Sequence, residues 1–354
     1  YNIEPSISTS YEIGTEFRLF NNRLWGDFNY YTRDDKDQII SVTSAPQSGY
    51  STRKMNAGLI RNRGVELSLG GMPVSTKNWK WEMNFNIAKN SNKLVELADG
   101  VDSYSIYWTS FTTRLYNYAM VGKSLGVITG NTWERDDNGN IIFHELSASQ
   151  KALYGGEYVP TYNQNTLDEL GNFHPDFTGG FNTSISFKNF RLSANIDFSV
   201  GGQIVSYTNM WGSSSGILDK TAELNDRGVN VREPVSKGGG IHMTGVDQDG
   251  NKVDTYVNAK LYYTTASRVW EEWVYDRTYV KLREVSLSYV FPSQTLKKLN
   301  IGLSRASVAI NASNPWLIYS ACPNVDVSEI GMGYFEGGNA AATRSIGFTV
   351  NLAF

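Results

Sequence analysis

Between Phe181 and Val200 the chain alternates apolar and polar residues, interrupted by a single turn. Phe181, Thr183, Ile185 and Phe187 share one parity, with Asn182, Ser184 and Ser186 on the other. After Lys188-Asn189 the pattern resumes: Phe190, Leu192, Ala194, Ile196, Phe198 and Val200 against Arg191, Ser193, Asn195, Asp197 and Ser199. A strand sends successive side chains to opposite faces, so this stretch is a hairpin with one apolar and one polar face. A water-soluble sandwich can carry the same pattern. What separates the two readings is recurrence, with short turns at one end and very long connections at the other. Hydrocarbon outside and water inside would produce that arrangement.

The pattern recurs along the whole chain. A first hairpin runs from about Ser10 to Tyr31, with Tyr11, Ile13, Thr15, Phe17 and Leu19 opposed in parity to Glu12, Gly14, Glu16 and Arg18. Asn21-Asn22 supplies its turn, because Asn tolerates left-handed geometry. A third strand covers about Leu59 to Gly70. A fourth follows, in which Trp79, Trp81, Met83, Phe85 and Ile87 alternate with Lys80, Glu82, Asn84, Asn86 and Ala88. Trp79 and Trp81 beside a turn fit an aromatic girdle at the rim of a bilayer. Strand seven spans Tyr279 to Phe291, strand eight about Asn300 to Ala312, and the last strand ends on Phe354. In strand seven Val280 and Leu282 sit on the wrong parity, which predicts a bulge or a strand reaching above the membrane. The same switch separates Leu303 from Ala306.

That makes roughly nine strands, joined by short turns near Asn21, Lys77, Lys188 and Thr295. Between them lie long connections over about 32–57, 90–176, 209–274 and 313–342. Structureless connections beyond ~15 residues are rare in compact soluble domains, so the second of these, 90–176, is expected to be functional. Within the second, Asp136-Asp137-Asn138-Gly139 predicts a hairpin with a type I′ turn. The fold class expected is all-β: a transmembrane antiparallel β-barrel with its long loops extracellular and its C-terminus at the periplasmic rim.

Composition agrees. Aromatic residues reach 13 %, with 21 Tyr and 9 Trp, the residues that favour a boundary between dry and wet surroundings. No apolar run approaches the ~20 residues of a spanning helix, which leaves a barrel untouched. A net charge of −3 predicts neither nucleic-acid binding nor a polybasic membrane anchor. Cys322 is the only cysteine, so there is no disulfide framework. Nine strands left open would expose two unpaired edges to lipid, each unsatisfied peptide group costing several kcal/mol. The chain is therefore expected to be the C-terminal part of a longer one, or a subunit that closes with another.

Several short segments resemble the SusC/RagA-type TonB-dependent outer-membrane transporters of Bacteroidetes. They are Tyr11-Glu12-Ile13-Gly14 leading into Phe20-Asn21-Asn22-Arg23-Leu24, and Asn56-Ala57-Gly58 followed by Gly64-Val65-Glu66-Leu67. Gly122-Lys123-Ser124-Leu125-Gly126, Pro175-Asp176-Phe177-Thr178-Gly179-Gly180 and Tyr279-Val280-Lys281-Leu282-Arg283 are similar too. The matches are collinear and end on Phe354, which the resemblance identifies as a C-terminal assembly signal. From Asn311 to Glu329 the chain departs from the family's pattern. The resemblance implies a 22-stranded barrel with an N-terminal plug, whose TonB box, plug and first strands lie outside this sequence. It also implies import of oligosaccharides, peptides or similar large solutes, powered through TonB. A SusD-like surface lipoprotein would serve as lid, and a dimer of such SusC–SusD pairs is one arrangement. Two alternatives stand beside import: a SusC-like scaffold in an outer-membrane assembly, and a passive porin.

Residues that carry chemistry are sparse. His144, His174 and His242 lie in separate loops without metal-ligand spacing, and Asp247 to Asn251 reads as a polar turn rather than a calcium loop. No nucleophile, base and acid fall into a supporting context, so the sequence predicts no enzyme and no cofactor. Glu12, Glu16, Arg18, Glu66, Glu82, Arg191 and Asp197 share the lumen parity. They could touch a plug or a passing solute, or simply keep the bore wet. Tyr104, Tyr107, Trp108, Tyr116, Trp133, Trp211 and Trp270 in the long connections are the ligand candidates, since flat rings stack on sugar faces and bury peptide side chains. Loop packing or contact with a lid protein accounts for the same rings.

Overall fold

The computed structural model describes residues 3–43, 49, 52–56, 58–110, 113–299, 302–330, 334–337 and 342–354. Its frame is one nine-stranded sheet: β1 (Ile7–Leu19), β2 (Leu24–Lys36), β3 (Leu59–Ser75), β4 (Trp79–Glu96), β5 (Phe177–Phe187), β6 (Phe190–Val200), β7 (Tyr279–Val290), β8 (Arg305–Ser320) and β9 (Ser345–Ala353). Each strand pairs antiparallel with the next in sequence, which puts all short turns at one end and all long connections at the other. The turn chemistry is as local sterics require: Phe20, Asn21 and Asn22 all take left-handed backbone angles, and so does Lys188.

Register carries the alternation across strands. Leu69 lies opposite Phe85, Phe85 opposite Phe181, Phe181 opposite Ile196, and Ile196 opposite Leu282. Leu192 opposes Leu287, Leu287 opposes Ile310, and Ile310 opposes Phe348. Directly opposed residues share a face, so the apolar parity forms one continuous belt. The parity switch in β7 is a bulge: the ladder to β6 shifts between Asn195 and Ile196, leaving Arg283 as the extra residue. Val280 and Leu282 thereby rejoin the apolar belt, opposite Phe198 and Ile196.

This belt is not a protein core. Phe348 is 68 % exposed, Phe190 51 % and Leu287 48 %. Among the described residues the packed apolar clusters include neither Phe198, Trp81 nor Phe348, and no second sheet covers them. A soluble sandwich is excluded on that ground. Ten residue steps separate Phe177 from Phe187, or ~33 Å along the strand at ~3.3 Å each. A tilt of ~40° reduces this to ~25 Å, the height of the apolar band of an outer-membrane barrel. At the turn end Trp79 packs against Phe187 at 4.3 Å between ring centroids, and Phe190 against Tyr289 at 4.7 Å. Trp81 donates its indole N–H to Thr183 Oγ1 at 3.0 Å.

The packed core of the molecule lies instead in the long connections. Leu115, Ile128, Trp133 and Phe143 from the second connection pack with Val205, Tyr207, Met210, Trp270 and Trp273 from the third and Tyr334 from the fourth. Short sheets bind the connections together, most plainly where Gln203–Ser206 pairs with both Val274–Asp276 and Phe335–Glu336.

Four expectations are corrected. The connections are 37–58, 97–176, 201–278 and 321–344: β2, β4 and β8 run past the predicted ends, whereas the third connection is longer than expected because β6 stops at Val200 and β7 starts only at Tyr279. The turn near Thr295 is a short helix, Ser293–Leu299, entered through Pro292. β8 starts only at Arg305, so Leu303 precedes the strand and no parity switch exists there. Asn138-Gly139 does not form a type I′ turn, since only Gly139 has a positive φ. The Asp136 carboxylate accepts from the backbone N–H of Asn138 and Asn140, and that cap selects the alternative geometry.

Candidate functional site

The face opposite the apolar belt is a polar wall built in rows. One row runs Arg18, Trp25, Gly70, Asn84, Asn182, Asn195, Glu284 across seven strands. The next toward the long connections runs Glu16, Asp27, Ser68, Asn86, Gly180, Asp197, Lys281. Glycine at position 70 is required by its neighbour: a methyl group there would come within 2.0 Å of the Trp25 indole, which lies across it. Side-chain hydrogen bonds knit the wall, among them Ser286 to Asn311 at 2.6 Å and Asn311 to Thr349 at 3.0 Å. A shallow depression of about 340 Å³ is lined by Trp25, Glu82, Asn84, Asn182, Arg191 and Glu284.

All seven charged residues expected on the lumen parity fall on this polar face. Glu12, Glu16, Arg18 and Glu66 are exposed there, with Glu16 paired to Arg18 at 2.9 Å. Glu82 pairs with Lys80 at 3.0 Å, and Arg191 donates to Ser184 Oγ at 3.3 Å. Asp197 accepts from Arg283 at 2.8 Å and from the Tyr279 hydroxyl at 3.2 Å.

The aromatic candidates divide by burial. Trp270 is fully buried and stacks on Tyr207 at 5.1 Å, while Trp133, 4 % exposed, stacks on Tyr262 at 6.2 Å. Both rings build the core of the connections and are closed to a solute. Tyr104 packs into a small cluster around Ile40, and Tyr116 stacks on Tyr118 at 5.3 Å. Trp108 lies in the strand Ser103–Ser110, opposite Tyr116. Tyr107 and Trp211 are the open ones, at 43 % and 44 %. Tyr107 stacks on Phe335 at 6.2 Å, which continues through Tyr207 to Trp270.

A cluster that the sequence did not single out joins the wall to the fourth connection. Lys281 from β7 is buried, its side chain only 2 % exposed. Its ammonium donates to Asp326 Oδ2 at 2.7 Å, Ser328 Oγ at 3.0 Å and Glu329 Oε1 at 2.8 Å. Arg283 donates to Asp197 and Glu329 together. Burial pushes the Asp326 carboxyl up, but the Lys281 ammonium and the Ser328 donors outweigh it and hold that group below the usual carboxylate range. Glu329 is held low by the hydrogen bond from Lys281 first and by Arg283 after it. Removing a partner would leave a buried ammonium short of a counter-charge, which is destabilising. The signal in the sequence was a pair of cations in β7 beside an acidic run at 326–329, unpaired until the fourth connection folds back.

Among the described residues no group of three or more His, Cys, Asp or Glu is placed to hold a metal ion. His242 sits between two carboxylates, Asp226 and Asp254, each at 2.8 Å. Burial pushes the Cys322 thiol up to about 12, which leaves it unreactive.

Comparison with known proteins gives these features a context. The sequence model of the family "TonB dependent receptor-like, beta-barrel" matches residues 1–203. TonB-dependent receptor P3 of Formosa agariphila is 27 % identical over 333 residues, covering 92 % of this chain and 31 % of its own length. TonB-dependent receptor SusC of Bacteroides thetaiotaomicron is 29 % identical over 212 residues, 57 % of this chain and 20 % of its own. The RagAB peptide importer in its closed-closed state superposes with a TM-score of 0.70 at 19 % identity, over 99 % of this chain and 35 % of the solved one. The open-open state gives 0.69. The chain thus spans about a third of the length of P3 and of the solved importer.

Proposed function

Because the chain belongs to the TonB-dependent receptor β-barrel family, and within it to the SusC/RagA type, we propose that it is the C-terminal wall and outer vestibule of an outer-membrane importer. The solute is an oligosaccharide, a peptide or a molecule of similar size, and the energy comes through TonB. The N-terminal domain, TonB box, plug and remaining strands of a 22-stranded barrel belong to the rest of the protein, which meets the bilayer through the apolar belt. A SusD-like lipoprotein covers the long-connection end, which is extracellular, and the turn end faces the periplasm.

One observation carries this reading: an uncovered apolar belt of bilayer height backs a polar wall, and a packed aromatic body crowns one end only. A passive pore needs no such body. A wall rich in Asn and Ser offers many weak, exchangeable hydrogen bonds, which suits a passing solute better than tight binding. The name of the RagAB importer makes peptides one solute class to test first.

The test uses the full-length protein in its own cells. Deleting its gene should abolish growth on one large nutrient, and deleting TonB should do the same. Purification of the full-length protein should bring down a surface lipoprotein. Uptake that persists without TonB would identify a passive porin instead, and assembly defects without any uptake loss would identify a scaffold.

A further inference from the structure

We propose that Lys281 is a positioning residue that seats the fourth connection on the polar wall and, through it, locks the third and fourth connections into one body. That this body stands over a solute's route rests on the proposed import function; the clasp itself does not.

The wall has no need of a buried cation at this place. Lys281 lies directly opposite Asp197 on that face, yet Asp197 takes its donors from Arg283 and the Tyr279 hydroxyl. Lys281 spends all three ammonium protons on one short turn, 326–329, rather than on the sheet. The bulge then adds Arg283, which reaches the same Glu329 and also Ser328 O at 3.4 Å. A device that costs β7 its regular ladder thus delivers two cations to one acidic turn.

From that turn the linkage passes to the third connection. Asn324 donates to Asn209 Oδ1 at 2.9 Å, and Asn209 Nδ2 donates back to Pro323 O at 2.8 Å. Farther on, Glu336, 4 % exposed, accepts from Ser206 Oγ at 2.8 Å, from the Thr208 N–H at 3.3 Å and from the Thr208 hydroxyl. The start of the helix Tyr207–Ser214 is therefore held by the fourth connection at two points. Releasing the turn from Lys281 should loosen that helix as well.

The groups facing the clasp are Asp197, Tyr279 and Arg283 from the wall, with Glu336 and Arg344 across an adjoining cavity of about 390 Å³. Both carboxylates of the turn titrate below their ordinary range. A depressed carboxylate contributes stability that is present above its unfolded pKa and lost as pH falls through its folded one. The clasp therefore holds at neutral pH and loosens only in acid, as pH falls from the ordinary carboxylate range through the lower folded values.

Hydrogen exchange on the full-length protein tests this without any transport assay, so failure of the import reading and failure of the clasp are separable. Lys281→Met should raise exchange at least tenfold in 321–330 and also in 203–214, leaving 259–273 unchanged. Lys281→Arg should restore protection, because the adjoining cavity admits a guanidinium that reaches the same carboxylates. Protection of 321–330 in the unsubstituted protein should fall as pH is taken below the ordinary carboxylate range, and Lys281→Met should show no such step. Unchanged exchange in 203–214 would overturn the coupling. Arg failing as badly as Met would show that shape, not charge, does the seating.

Discussion

At the scale of residues, alternation assigns a face but not a neighbour. Trp270 and Trp211 read alike in sequence, both aromatic and both in the third connection, yet one is wholly buried and the other 44 % exposed. Trp270→Ala should cost the connections ~3–5 kcal/mol, seen as a lower denaturant midpoint in near-ultraviolet dichroism. Trp211→Ala should shift that midpoint by well under ~1 kcal/mol; equal losses would contradict the burial difference. His242 makes a sharper case. Both ring nitrogens face carboxylates, an arrangement only an imidazolium satisfies on both sides. The hydrogen bond to Asp254, followed by the charge of Asp226, raises its pKa above 6.5. The stabilisation is therefore complete below 6.5 and disappears as pH rises through the higher folded value. A histidine titration by NMR should report that elevation, with the hairpin 241–257 exchanging faster at alkaline pH. A pKa at or below 6.5 would rule the bridge out.

At the scale of elements, consecutive residues of one strand live in different solvents. Phe181 lies near the middle of the apolar belt and Asn182 on the polar wall. Phe181→Arg should cost ~2–4 kcal/mol near the bilayer midplane, whereas Asn182→Arg should be tolerated. Assembly into outer membranes, followed by the heat-sensitive mobility of folded barrels on gels, would read the contrast. Equal effects would mean that the two faces are not in lipid and water. The bulge at Arg283 belongs to the same scale. One extra residue allows β7 to keep Val280 and Leu282 in the belt while Lys281 turns to the clasp.

At the scale of the whole molecule, the design inverts that of a soluble domain: among the described residues the large packed cluster lies in the long connections, not on the sheet's apolar face. The outer edges of β1 and β9 pair with no other strand among the described residues. Unpaired peptide groups in hydrocarbon cost several kcal/mol each. Residues 1–354 expressed alone should therefore not give a heat-modifiable monomer, while the full-length protein should. A stable monomeric barrel from this segment by itself would contradict the open edges seen here.

The sequence by itself determined roughly nine strands, their order, which parity is apolar and that β7 breaks parity near Val280 and Leu282. All of these follow from local periodicity and turn sterics, which neighbouring residues encode. It also carried the family resemblance. Only the tertiary structure decided which aromatic rings are core and which are exposed, that three connections share one core, and that Lys281 meets Asp326 and Glu329. Those facts depend on segments 45 to more than 100 residues apart coming together. Distance along the chain erases any periodic signal, so packing alone could reveal them.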